Sequence, residues 1–300
     1  MNRKLAQLSA QKFLYLMILP GFLVVLVFHY FPIYGVLIAF QNFNPRAGIW
    51  GSEWIGFTHF KNFFNDPMAF RVVKNTLILG VYSLLWSFPA PIILALLFNE
   101  LKLPKFKRIA QTISYFPHFL SVVIVAGMLR DFASRDGLFN QIRALFGLDP
   151  VMFLLESGYF RTMFIFSGIW QSIGFGTIIY LAAISGIDPT LYDVAEIDGA
   201  NRFQKAWHIT WPHMRPTVTI LLIFAISGIL GTDFQKVLLL YHPGIYSVAD
   251  VIGTYTYRVG LVGGRFEFTA AIGLFNSVVA FILLITANFI SRKVSETSLW

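Results

Sequence analysis

The chain has no cysteine, few charges and no phosphate-binding loop, and each absence removes a class of function. Without cysteine there is no disulfide framework, thiolate metal site or thiol nucleophile. Only 13% of residues are charged, against about 25% in an ordinary soluble domain. No GxxxxGK[ST] stretch occurs, so the chain cannot hold ATP by that device. HExxH is missing too: His208 and His213 are five apart instead of four, and His29 and His118 stand alone in apolar surroundings, so no metal is expected. There is no GxSxG elbow, Asp66-Pro67 and Asp149-Pro150 read as turn openers, and no catalytic residue is expected. The formal charge of +8 comes from residues scattered at the ends of apolar runs, without interleaved aromatics. That is headgroup anchoring, not nucleic-acid binding.

What is present is apolar: 56% of the residues are hydrophobic, and they must face lipid or line a membrane cavity. A helix needs about 20 apolar residues to cross a bilayer, and six runs qualify: 13–40, 76–98, 109–129, 162–185, 216–240 and 268–290. The first is too long for a signal peptide and has no cleavage site, so it is retained, with a break expected at Pro32 and Gly35. An even number of spans puts both termini on one side. The dense cluster LKLPKFKR between the second and third spans, with Arg3 and Lys4 near the start, assigns that side to the cytoplasm. The connections over 130–161 and 241–267 then form an outer cap. Phe57, Phe60, Phe63 and Phe64 make one helical face, either lying in the membrane interface or packed as a connector. No repeat divides the chain, so 1–300 reads as a single all-α membrane domain.

One polar interval, 188–215, reads as ordered helix. Asp188-Pro189 opens a helix from Thr190 to about Asp198, Gly199 allows a sharp bend, and a second helix from Arg202 to Ile209 is expected to end at Pro212. Its spacing is Asp193-Val194-Ala195, three residues, Gly199, nine residues, then Ile209-Thr210-Trp211-Pro212. This resembles the EAA motif of the membrane subunits of binding-protein-dependent ABC importers, Glu-Ala-Ala, three residues, Gly, nine residues, Ile, one residue, Leu-Pro. It departs from that pattern at Asp193, Val194 and Trp211. Further stretches, YLMILPGFL, PIYGVLIAFQNFNP, WIGFTHFKNFF, NTLILG, FPAPIILALLFNE, QTISYFPHFLSVV, DGLFN, IIYLAAISGIDPTLYDVAEIDGA and SETSLW, are similar to the LplB-type permeases of carbohydrate importers.

The resemblance implies a multi-pass permease of a bacterial cell membrane with six transmembrane helices. It assigns ATPase coupling to Asp193, Val194, Ala195, Glu196, Gly199, Ala200, Ile209 and Pro212, with Asp193 facing an ATPase arginine. The implied partners are a second, similar but different permease, two ATPase subunits that bind ATP and Mg, an extracellular binding protein and an oligosaccharide.

Inside the runs, polar residues recur at helical spacing: Ser167, Trp170, Gln171 and Gly174; Ser227, Gly231 and Gln235 with Asp233; Gly273, Asn276, Ser277 and Ala280; Asn75, Tyr82 and Trp86. Amides and hydroxyls bond sugar hydroxyls, and aromatic rings cover sugar faces. Trp170, Gln171, Asp233, Gln235 and Asn276 are therefore expected to line a translocation cavity, the alternative being helix packing. Charged residues fall outside the runs or near their ends, which disfavours ion-coupled transport. A secondary carrier or channel, or a membrane-embedded enzyme, remains the alternative class, although neither inverted repeats nor a catalytic constellation is visible.

Overall fold

Backbone polar groups in lipid must be satisfied within their own segment, and the long apolar runs do so as helices. A computed structural model describes residues 11–295 and 298–299; Arg3, Lys4 and, of the terminal SETSLW, Glu296, Thr297 and Trp300 lie outside them. In chain order, α1 (Lys12–Phe40) leads to a two-stranded antiparallel ribbon, β1 (Gln41–Asn42) on β2 (Glu53–Trp54), and α2 (Thr58–Asn65). Then come α3 (Pro67–Asn99), α4 (Pro104–Phe119), α5 (Val122–Phe132), α6 (Leu138–Leu145) and α7 (Ser157–Ser185). They are followed by α8 (Thr190–Ile197), α9 (Arg202–Ser227), α10 (Phe234–Leu240) and α11 (Phe266–Ser295). Among the described residues five helices, α1, α3, α7, α9 and α11, are long and apolar enough to cross a membrane, and the number is six if the bent pair α4–α5 counts as one span.

Four expectations about boundaries change. Pro32 does not break α1: a π-helical turn over Leu26–Tyr30 precedes it, and it enters the first turn of a 3₁₀ segment, Phe31–Phe40, where its missing N–H is not needed. α3 starts at Pro67 instead of Thr76, because Asp66 Oδ1 accepts the Met68 N–H at 2.8 Å and Pro67 suits a first turn. The third run is not straight. It turns by 97° between α4 and α5, where Ser121 Oγ caps a fresh helix by accepting the Ile124 N–H and Gln171 Nε2 donates to the Leu120 carbonyl at 2.9 Å.

The fifth run is displaced. α9 continues through Pro212, which follows a π-helical turn, Ala206–Thr210, whose wider register accommodates a residue without an N–H. It thereby takes Arg215 into its interior. It stops at Ser227, before Gly228 and Gly231, and a new helix begins only at α10, capped by Asp233 Oδ1 on the Lys236 N–H at 3.0 Å. Ser227, Gly231 and Gln235 therefore do not share one helical face.

The chain's contacts form two compact units, Met1–Asn65 with Val259–Phe275, and Asp66–Arg258 with Asn276–Trp300. In the first, Phe40 stacks on Trp54 and touches Phe57 and Phe60, while Phe63 is buried against Phe268 and Phe275. Of the phenylalanine face, Phe63 is buried and Phe60 half-buried against the protein's own rings, while Phe57 and Phe64 stay exposed.

In the second unit, one core joins Leu79, Leu129, Phe160, Phe164, Val237 and Val251. Another joins Ile92, Tyr180, Ile184, Ile187, Met214 and Val218 and carries the base of the polar interval. α7 crosses α4 so closely that a Cβ on Gly174 would run into the Ser114 carbonyl. Gly174→Val is expected to cost about 3 kcal/mol, the upper end for overpacking, since the obstacle is backbone. An unchanged melting temperature of the purified protein would contradict that close approach.

Candidate functional site

The polar interval folds as a helix–turn–helix held by its own backbone. Asp188 Oδ1 accepts the Thr190 N–H at 2.9 Å, a bond that keeps the Asp188 carboxyl below the usual carboxylate range. α8 closes in a Schellman motif: Ala200 N–H reaches Ala195 O at 2.8 Å, Gly199 N–H reaches Glu196 O at 3.1 Å, and Gly199 sits at φ 77°. Only a residue without a Cβ adopts that conformation freely.

Asn201 and Gln204 then form a reciprocal capping box, at 2.8 and 2.9 Å, that starts α9. Lys205 Nζ bridges back to Glu196 Oε2 at 2.9 Å, and this contact holds the Glu196 carboxyl below its ordinary range. Tyr192 OH meets Thr210 Oγ1 at 2.9 Å, and Tyr192 and Ile209 pack on the core under α8 and α9.

Ala195, Gly199, Ala200 and Ile209 line one cleft of about 300 Å³ together with Lys205 and His208. Asp193 and Val194 are exposed on α8, and Pro212 is exposed on α9. Ile197 is 86% and Phe203 75% exposed, and Phe203, Trp207 and Trp211 stack in a row along α9. Apolar groups gathered on an otherwise polar interval mark an interaction surface. His208 and His213 bond carbonyls of their own helix through Nδ1.

The residues expected in a cavity separate. Gln171 and Asp233 line one cavity of about 520 Å³ between α3, α7, the 228–233 turn and α10. Ser83, Ser87, Ser172, Thr232 and Lys236 add polar groups to its wall, and Leu79, Leu84, Phe88 and Ile229 add apolar ones. Trp170, one residue along, points into a different, apolar cavity of about 420 Å³ with Phe132 and Phe139. Gln235 is exposed and lines neither; Asn276 also lines neither, and its Oδ1 is buried without a hydrogen-bond partner. Of the second run, Asn75 is buried as a bracket for a connection, donating to the carbonyls of Ser247 and Asp250 at 3.1 and 3.0 Å, while Tyr82 and Trp86 are exposed.

Two charged features escaped the sequence reading. Lys236 is 3% exposed, its Nζ donating to the Phe164 carbonyl at 2.9 Å and lying 4.9 Å from the centre of the Phe164 ring. Its signal was faint, one lysine in the apolar stretch FQKVLLL. Asp250 is fully buried and takes Arg258 on both oxygens at 2.8 and 3.2 Å, Thr254 Oγ1 at 2.9 Å and Arg71 at 3.6 Å. Its hydrogen bonds raise the Arg258 guanidinium further above its ordinary range. Arg161 joins through Asn75 Oδ1 at 3.1 Å. Thr254 and Arg258 follow Asp250 closely, but Arg71, Asn75 and Arg161 lie far from it in sequence, so no spacing foretells the whole cluster.

Comparison with known proteins bears on the whole chain. The family model described as binding-protein-dependent transport system inner membrane component matches residues 67–296. Protein LplB of Bacillus subtilis is 42% identical over 99% of this chain and 93% of its own length. The polygalacturonan/rhamnogalacturonan transport system permease protein YteP of the same organism is 43% identical over 100% and 94%. A chain of a bacterial ABC transporter involved in the import of the acidic polysaccharide alginate superposes with a TM-score of 0.91 at 42% identity, over 98% of this chain and 100% of that one. A second structure of a bacterial alginate transporter, in complex with an alginate pentasaccharide-bound periplasmic protein, gives 0.91 at 41% identity, over 99% and 100%.

Proposed function

The chain belongs to the family of inner membrane components of binding-protein-dependent transport systems, and from that premise we propose that it is the permease subunit of an ATP-driven importer of oligosaccharides or polysaccharide breakdown products. The observation that carries this reading is likeness along the whole chain, at TM-score 0.91 and 42% identity, to a chain of an alginate importer. The substrate arrives on an extracellular binding protein, as the complex with a loaded periplasmic protein in the second structure supports. The chain sits in a bacterial cell membrane with both termini and the interval from Asp188 to Arg215 in the cytoplasm.

There α8 and the start of α9 dock into an ATPase. Exposed Ile197, Phe203 and Trp207 supply apolar contact, and Asp193, in the first turn of α8, supplies a charge for an arginine. The Schellman turn, the capping box and the Glu196–Lys205 bridge make the pair one stiff body. Movement of the ATPases then passes into α7 and α9 and turns the cavity near Gln171 and Asp233 from one side of the membrane to the other. A second, similar but different permease completes the pathway, and ATP and Mg bind in two partner ATPase chains. A substrate biases the states only through its different affinity for each.

The test is purification of the detergent-solubilised complex through a tag on this chain. Recovery of a second permease and an ATPase in a ratio of one to one to two is expected. Recovery of this chain alone, still folded, would overturn the reading.

A further inference from the structure

We propose that Lys236 makes this permease selective for anionic saccharides by meeting a sugar carboxylate in the cavity between α3, α7 and α10. The inference rests on the transport reading above and deepens it by naming the charge class of the substrate. A lysine buried to 3% exposure is costly unless its charge is met. Here the ammonium rests on a carbonyl and a ring of Phe164, and no carboxylate lies within ion-pair distance of it among the described residues.

The surroundings keep that seat open. A Cβ on Gly168 would lie 3.3 Å from Lys236 Nζ, so the glycine leaves the ammonium its place. Thr232, on the same wall, has its Oγ1 buried without a hydrogen-bond partner, and Gln171 lines the cavity beside it. At about 520 Å³ the space falls in the usual range of small-molecule sites, roughly 300–1,000 Å³. Asp233 is the opposing charge on this wall, and its Oδ1 is engaged on the Lys236 backbone N–H at 3.0 Å. The two side chains therefore make opposite contributions: the lysine admits a carboxylate, and the aspartate repels it.

The experiment uses the whole transporter in proteoliposomes with its binding protein, and two probes, trigalacturonate and its trimethyl ester. Lys236→Met is expected to lower trigalacturonate uptake about tenfold or more, the worth of one charge-assisted hydrogen bond, and to leave ester uptake within about twofold. Lys236→Arg restores most of the loss, and Asp233→Asn shifts the ratio of the two probes toward trigalacturonate. Equal losses on both probes, or no loss on either, would overturn the inference.

If the wild type imports only the ionised sugar, the variants are compared on that sugar at equal melting temperature. Loss in Lys236→Met with retention in Lys236→Arg then supports the inference, and equal uptake, or equal loss, in both overturns it. A wild-type transporter that imports neither probe while the assembled complex remains intact overturns the inference on its own. Failure to assemble any importer removes the transport reading, and the inference with it.

Discussion

Asp250→Ala should destabilise the folded protein by about 3 kcal/mol, the lower end of the roughly 3–5 kcal/mol range for removing one partner of a buried ion pair. The lower end applies because Arg71 and Arg258 keep 36% and 30% of their side chains in contact with solvent, whereas Asp250 keeps none. The loss reaches beyond the pair. Asp250 also accepts from Thr254, while Asn75, Thr76 and Arg161 tie α3 and α7 to the same connection, with the Thr76 hydroxyl accepting the Ile252 N–H at 2.9 Å. Asp250→Asn keeps the shape and one acceptor and should fall between wild type and alanine. Melting temperatures of the purified complex give the order, and an alanine variant as stable as wild type would mean the cluster is idle.

Gly199→Val should leave the subunit inserted and assembled while uptake drops about tenfold or more and ATP hydrolysis continues. A left-handed backbone costs an ordinary residue about 1–2 kcal/mol, a β-branched one more, and each 1.4 kcal/mol is about tenfold in an equilibrium. No atom lies within 4 Å of a Cβ built at Gly199, so the penalty is one of backbone conformation and not of collision. Asn tolerates this region better, so Gly199→Asn should keep most of the transport. Full uptake by the valine variant would show the α8–α9 turn to be an ordinary connector; loss of assembly in both variants would show a role in folding instead of coupling.

Legibility from sequence followed the range of the forces involved. The bend at Gly199 and the helix start at Arg202 were readable because local hydrogen bonding, between partners within five residues of one another, decides them. Span boundaries were less so. Hydropathy registers how apolar a run is on average, and 216–240 qualifies on that measure, yet Gly228 and Gly231 end α9 and Asp233 restarts the chain as α10. The bend of 97° between α4 and α5 was invisible for another reason: the carbonyl it frees is satisfied by Gln171 from α7.

By itself the sequence determined that this is a helical membrane protein without cysteine or phosphate-loop chemistry. It also determined where the two helices of the polar interval lie and, through motifs matched along the whole chain, which family of transporters it resembles. Those properties depend on composition and short-range order. Only the tertiary structure decided that Gln171 and Asp233 share a cavity while Trp170 faces another, that Lys236 is buried on Phe164, and that Arg71, from a distant segment, joins Arg258 on Asp250. A helix presents a residue to its neighbours according to how it is rotated and where it ends. Those are settled by packing between helices, such as the approach of Gly174 to Ser114, and not by the period of one helix alone.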